Sequence, residues 1–201
     1  MTDPANRRTQ AQRRATTEKR LLEAATRLFA ERGSRSVSIA DVGAAAGYSR
    51  GIVTQHFGGR SELLAAVVLH AQQFEVDDPE GASGLDRVTN LVRAYLDHVR
   101  ADRSSGQAFL LLWTEAIAAD PVLAPLFAER DRWFRQLLAD RLRQGVDDGS
   151  IRGDVDPPAT AATLVAVLRG IGLQLMAPAP PVAFVRVTAD AVAFVRHGLA
   201  S

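Results

Sequence analysis

A chain of 201 residues with 47% apolar side chains has enough material to bury a core in one or two domains. It contains no cysteine, which excludes a disulfide framework and any thiolate metal site. The net charge of +1 hides an asymmetry: residues 1–62 carry 11 basic and 6 acidic side chains (+5), and the remainder carries 13 and 17 (−4), so an anionic partner is expected at the N-terminal end.

The first 15 residues are polar, with Arg7, Arg8, Arg13 and Arg14 in two pairs. They read as a flexible basic arm suited to a DNA backbone or minor groove, and they lack the apolar run of a secretory signal. From Thr17 to Arg32 the apolar positions Leu21, Leu22, Ala25, Leu28 and Phe29 mark an amphipathic helix, stopped by Gly33. Ser38 is placed to cap the next helix, with Asp41 closing a capping box. Ile39, Val42, Gly43 and Ala46 then fall on one helical face. Gly47 ends that helix and Ser49 is placed to cap another, in which Val53 and Phe57 point inward. Arg50, Gly51, Thr54 and Gln55 are left on its other faces. After Gly58-Gly59 a fourth helix is predicted to about Phe74, and residues 76–84 form a linker.

Beyond the linker every long segment has a helical period. Leu85, Val88, Val92, Tyr95, Leu96 and Val99 form one stripe, and Phe109, Leu112, Trp113 and Ile117 a second. Asp120-Pro121 suits the start of a helix running through Phe127, Phe134, Leu137, Leu138 and Leu142. Residues 149–158 form a loop; Gly153 to Pro157 reads as a polar turn into a helix rather than a metal site. Ala161 to Met176 is apolar nearly all round, which implies burial on more than one side. Ala177 to Pro181 breaks it, and Val182 to Leu199 forms the last helix. No segment alternates as a strand, so the chain is predicted to be all-α with about nine helices. The expected divisions are 1–15 (arm), 16–62 (DNA-binding, its fourth helix running on to about 76) and 77–201.

Chemistry for catalysis is missing: no nucleophile elbow, phosphate loop or paired metal motif occurs. His56, His70, His98 and His197 are too scattered along the chain to suggest a ligand cluster, and no cofactor is expected. The longest apolar stretch, Leu164 to Met176, is interrupted by Arg169 and Gln174 and is too short to span a bilayer. A cytoplasmic protein without a membrane partner is the expectation.

Residues 38–57 have the form of two short helices joined by a tight turn, either an ordinary helical hairpin or the motif that lays its second helix in the DNA major groove. The stretch from Thr17 to Leu64 resembles the DNA-binding domain of the tetracycline-repressor (TetR) family. The matching residues are Ala24-Ala25, Leu28-Phe29, Arg32-Gly33, Ser38, Gly47, Ser49-Arg50-Gly51, His56-Phe57, and Leu63-Leu64 after Arg60. The chain departs from the family at Ser34, usually aromatic, at Val53-Thr54 and Gln55, at Gly43, usually alanine, and at Arg60, usually lysine. The resemblance implies a double-stranded DNA operator contacted by Thr17, Ser38, Tyr48, Ser49, Arg50, Gly51, Thr54, Gln55, His56 and Arg60. It also implies a repressor, released from a palindromic operator by a small-molecule effector.

In that family an apolar pocket opens between the fifth, seventh and eighth helices, with the sixth coupling it to the DNA-binding domain. Tyr95, His98, Phe109, Trp113, Phe134, Leu137 and Arg169 are the candidate pocket residues, with Glu115 and Gln174 as further polar groups. Trp113-Thr114-Glu115, Asp120-Pro121 and the Asp154–Pro157 loop resemble the branch that includes choline- and betaine-responsive repressors. A small C-terminal domain cannot cover its last two helices alone, so a two-fold homodimer is expected to bury them. Val165, Leu168, Gly172, Val185, Val192 and Val195 are the interface candidates. Two alternatives are a DNA-binding protein without an effector, and a helical enzyme or ligand carrier without sequence-selective DNA binding.

Overall fold

The computed structural model describes residues 4–71, 73–177 and 183–201, with the side chains of residues 4–9 and 184 left out. The expected break at Pro178–Pro181 and the expected helix start at Val182 lie outside the described residues. The described residues form nine α-helices: α1 Pro4–Arg32, α2 Ile39–Ala46, α3 Arg50–Phe57, α4 Arg60–His70, α5 Gly84–Ala101, α6 Arg103–Ile117, α7 Leu123–Asp147, α8 Pro157–Met176 and α9 Phe184–Leu199. A single 3₁₀ turn, Ser34–Ser36, precedes α2, and an isolated bridge joins Ile151 to Ala200. The expected all-α class holds.

The first helix starts at Pro4, well before the expected Thr17, so residues 4–16 are helical where an irregular arm was expected. No glycine or proline occurs between Ala5 and Arg32, and Ala, Gln, Arg and Glu dominate, so nothing in that stretch stops a helix once formed. The capping box of α2 forms as expected: Ser38 Oγ accepts from Asp41 N at 3.2 Å, and Asp41 Oδ2 accepts from Ser38 N at 2.8 Å. Gly47 takes the left-handed conformation, φ 79°, that turns the chain back toward α3. Asp120 Oδ1 accepts from Val122 N and Leu123 N, both at 3.0 Å, so it caps a helix that starts at Leu123 rather than at Pro121.

Two compact units divide the chain. The first takes everything up to Gln73 together with Gln107–Leu126, and the second takes Phe74–Gly106 and Phe127–Ser201. The cut is therefore not a single one near residue 76, because most of α6 belongs with the helix-turn-helix. In the first unit α1 packs on α2 and α4, while α3 packs on α2 and α4. Leu21, Ala25, Phe29, Val42, Val53, Leu63 and Val67 supply its buried centre. Gly43 is required here: a Cβ on it would lie 2.9 Å from the Tyr48 carbonyl oxygen, so even the family's alanine would push on this turn.

In the second unit α5 packs on α8 and α9, around a core that includes Val88, Leu91, Leu96, Leu138, Leu142 and Leu168. The start of α5 crosses the end of α7 backbone to backbone. A Cβ on Gly84 would come within 2.1 Å of Gly145 N, and one on Gly145 within 2.4 Å of Ile151 Cδ1. Gly84 N donates to Asp148 Oδ2 at 2.7 Å and Leu85 N to Ser150 Oγ at 3.1 Å, which ties the two helix ends together. By length and mean hydropathy the whole of α8 meets the measure of a membrane span, unlike the shorter stretch weighed from sequence. Its inner face, Ala161, Leu164, Val165, Leu168 and Leu175, is buried in the unit, and Arg169 within it pairs with Asp131 of α7. Gly84→Ala is expected to cost about 1–3 kcal/mol through overpacking. Gly153→Ala, with open space around it, is expected to change stability by only a few tenths of that. Urea unfolding of both variants checks the pair.

Candidate functional site

The second helix of the turn motif, α3, presents Arg50, Gly51, Thr54 and Gln55 on its exposed side, while Val53 is buried and Phe57 half-buried against the unit. Thr54 Oγ1 donates back to the Arg50 carbonyl at 3.2 Å. Ser49 stands at the N-cap, but its side chain makes no capping bond; its carbonyl accepts from Ile52 N at 3.1 Å instead. The expected side-chain cap at Ser49 is thus absent, and its hydroxyl is left on the exposed surface. His56 is half-buried, and its Nδ1 is enclosed without a hydrogen-bond partner. At the turn before α3, Thr17 Oγ1 donates to Tyr48 Oη at 3.4 Å. That bond, followed by a bond and the positive charge from Arg20, holds the Tyr48 hydroxyl below its ordinary pKa.

Two expected DNA contacts have structural duties. Ser38 spends its hydroxyl on the capping box, donating to Asp41 Oδ2 at 2.6 Å, and these bonds keep the Asp41 carboxyl below the usual carboxylate range. Arg60, expected beside the DNA backbone, turns its guanidinium inward and donates to the carbonyls of Val37 and Ser34. The planar guanidinium fork places one N–H group on each carbonyl in a fixed geometry. The same turn is held from α6. Glu115 accepts from Ser34 N at 2.9 Å and from the Ser34 hydroxyl, and Gln107 Nε2 donates to the Ala30 carbonyl at 3.0 Å. Ser34 is buried. A carboxylate thus serves the position where the family carries an aromatic ring, and Glu115 is a clamp within the first unit rather than a free ligand-orienting group.

The expected pocket residues are divided between the two units. Phe109 and Trp113 belong to the first unit, while Tyr95, His98, Phe134, Leu137 and Arg169 belong to the second. In the second unit Tyr95 stacks on Phe134 with centroids 5.8 Å apart, and Phe74 meets Tyr95 edge-on at 5.9 Å. His98 lies 5.7 Å from Phe74, and Leu137 packs against the same core. Phe74 was read from sequence as the end of the fourth helix; its signal was an isolated aromatic among polar residues at the head of the linker. Arg169 pairs in fork geometry with both carboxylate oxygens of Asp131, one bond being 2.9 Å. Burial pushes the Tyr95 hydroxyl up to about 12, with Arg169 opposing and Asp131 adding to the shift.

The dimer candidates also need correction. Val165, Leu168, Gly172, Val192 and Val195 are buried within the chain's own second unit. Of the six, only Val185 faces outward, 66% exposed. An all-round apolar helix does not declare which side meets its own core. The outward faces of α8 and α9 instead show Ala162, Ala166, Gly170 and Leu173, and Val185, Ala189, Ala193 and Phe194. Phe194 is 72% exposed.

Comparison with known proteins agrees with this architecture. Residues 84–200 match the family described as "BetI-type transcriptional repressor, C-terminal", and residues 21–67 match "Bacterial regulatory proteins, tetR family". The HTH-type transcriptional repressor KstR2 of Rhodococcus jostii (strain RHA1) is 31% identical over 144 residues, 68% of this chain and 68% of that protein. The repressor AcnR of Corynebacterium glutamicum is 27% identical over 152 residues, 75% of this chain and 77% of that one. Among solved structures, Salmonella enterica GusR superposes with a TM-score of 0.72 at 22% identity, covering 91% of this chain and 93% of its own. A protein from Saccharomonospora viridis, described as a transcriptional regulator and solved in complex with choline, gives 0.72 at 24% identity, covering 93% and 99%. The chain belongs to the TetR family: it is a DNA-binding transcriptional repressor of the ligand-responsive kind, not an enzyme.

Removing the clamp on Ser34 tests the local geometry. Glu115→Ala leaves a buried N–H and hydroxyl without their acceptor, which costs about 1–3 kcal/mol. Thermal unfolding of the variant should show that loss, and amide exchange at Ser34 should speed up.

Proposed function

We propose that the chain works as a cytoplasmic homodimer that holds two copies of α3 in successive major grooves of a palindromic operator and lets go when a small molecule binds the second unit. The observation that carries this reading is the division of labour on α3: Val53 anchors the helix, while Arg50, Gly51, Thr54 and Gln55 remain exposed at its other side. Residues at the start of such a helix approach base edges, and phosphate contacts set its register. Half-sites about 34–36 Å apart demand two copies at a fixed spacing. The outward faces of α8 and α9 support the pairing. They combine small residues, which let helices approach closely, with the exposed apolar side chains Leu173, Val185 and Phe194.

The effector is proposed to seat in the second unit near Tyr95, Phe134 and Phe74. The solved regulator from S. viridis holds choline, and the BetI-type match covers the same part of this chain. Aromatic faces attract a quaternary ammonium, so a small organic cation is the first effector class to try. An effector that binds better to a dimer with misplaced reading helices lowers operator affinity by that difference in binding energy.

Selection of operator fragments from random duplexes tests the first part. The wild type should enrich a palindrome, and Arg50→Ala should flatten preference at one base pair per half-site, a loss of about 1–3 kcal/mol of discrimination. Unchanged selectivity in the variant would remove Arg50 from base readout. Light scattering tests the second part. Phe194→Glu places like charges across the two-fold axis of the proposed interface, so it should turn a dimer into a monomer and weaken operator binding with the DNA face untouched. A wild type that is monomeric at micromolar concentration would sink the spacing mechanism.

A further inference from the structure

Base readout by α3 needs the duplex backbone to be gripped nearby, and Arg60 and Ser38 are occupied elsewhere. One cleft in the first unit has the chemistry for that grip. It encloses about 420 Å³ and is lined by Gln12, Arg13, Thr16, Thr17 and Arg20 of α1 together with Tyr48 of the turn before α3. All six side chains carry hydrogen-bond donors, although the Thr16 hydroxyl is spent on the Gln12 carbonyl and the Thr17 hydroxyl on Tyr48; two are permanent cations, and none is acidic. Such a lining suits a phosphate or sulfate-like anion and disfavours a cation. Arg13, Thr17 and Arg20 follow one another at steps of four and three residues, so they share one face of α1. The two guanidinium groups leave the helix about 10 Å apart along its axis, enough to approach one phosphodiester from both sides. Tyr48 stands directly before Ser49 and Arg50, which sets the cleft beside the N-terminus of the reading helix. Its hydroxyl already meets Thr17 at 3.4 Å, so the two hydroxyl groups converge on the same space.

We propose that this cleft seats one backbone phosphodiester of the operator at the edge of the groove read by α3, with Arg13 and Arg20 as its cations and Tyr48 as its hydroxyl donor, held in place by the bond it accepts from Thr17. The inference rests on the DNA-binding reading and adds a site to it: α1, not only the helix-turn-helix, sets where the protein stands on the duplex. Continuous helix through residues 4–20 makes Arg13 a positioned contact rather than part of a loose arm.

The test compares the wild type, Arg13→Gln/Arg20→Gln and the charge-keeping Arg13→Lys/Arg20→Lys on the selected operator and on a scrambled duplex across a salt series. The Gln variant should bind both duplexes less tightly by the same factor. The slope of log affinity against log salt should become shallower by about 0.9 per half-site, one phosphate released, while the Lys variant keeps the wild-type slope. A scan of single neutral methylphosphonates along the operator should find a position where the wild type falls to the affinity of the Gln variant and the Gln variant falls no further. An unchanged slope and affinity in the Gln variant, with sequence choice intact, overturns the phosphate seat and leaves the regulator reading standing. Loss in the Gln variant with no such methylphosphonate position, together with displacement of the wild type from DNA by millimolar inorganic phosphate alone, assigns the cleft to a free anion and overturns the backbone contact. A wild type that selects no duplex at all fails the functional reading itself, and the seat with it.

Discussion

A reading helix is useful only if the helices behind it hold it at one angle, and in this chain the angle is set at the turn from Gly33 to Val37. That turn closes one bond of its own, from Val37 N to the Ser34 carbonyl at 3.2 Å, and Ser34 within it is buried. Four groups there take partners from other helices: the N–H, hydroxyl and carbonyl of Ser34 and the carbonyl of Val37. Glu115 takes the first two and Arg60 the last two, so an anion and a cation from different helices close the same turn. Charge-assisted bonds of this kind are about twice as strong as neutral ones, and leaving a buried member unpaired costs more than the bond gains. The start of α2, the capping box at Ser38 and the α2–α3 turn at Gly43 all follow in sequence from that fixed point.

The second unit solves a different problem. Its helices meet closely where side chains vanish, at Gly84 against Gly145, and its apolar interior also holds the Arg169–Asp131 pair and the hydroxyls of Thr89, Ser105 and Thr188. Burying such a pair gains little net stability, because desolvation offsets most of the attraction, yet it ties α8 to α7 in one relative position. The aromatic cluster of Phe74, Tyr95 and Phe134 lies in the same unit as that pair, so a group that disturbs the rings works on helices already held by a directional contact. The exposed sides of α8 and α9 mix small and apolar residues such as Ala162, Ala166, Gly170, Leu173 and Phe194 with polar ones, and Arg196 among these pairs with Asp86 of α5.

What could be read from the sequence followed from how local the determinants are. The caps at Ser38 and Asp120 and the left-handed Gly47 act within a few residues, so residue type and spacing expose them. Periodicity gave the helices for the same reason, although nothing marked where α1 begins, because no stop signal lies ahead of Thr17. The clamp was invisible: Ser34 and Glu115 are 81 positions apart, and each by itself looks like a surface residue. Ser34 did leave a trace, since a small polar residue replaced an aromatic ring at a position that must be filled. Five of the six dimer candidates lie in the chain's own core because α8 is apolar all round, and its pattern does not say which side faces inward. That Phe109 and Trp113 belong to a different unit from Tyr95 was also hidden, because helical spacing reports the face a residue occupies and not the unit its helix joins.

Arg60's inward turn redistributes the electrostatics of the DNA-binding end. Residues 1–62 hold a net +5, yet one of those cations is spent on carbonyl oxygens inside the unit. The remaining positive charge is weighted toward α1, where Arg13, Arg14, Lys19 and Arg20 follow Arg7 and Arg8. Counterion release rewards cations only where they lie against phosphates, so the term that supplies most of the non-specific affinity must be sought on that helix. Because α1 also packs on α2 and α4, a cation fixed on α1 transmits its position to the reading helix through packed side chains rather than through a tether. If α1 seats a phosphate as proposed, grip and readout share one packed unit, and a shift of α1 by a fraction of a turn would disturb both together.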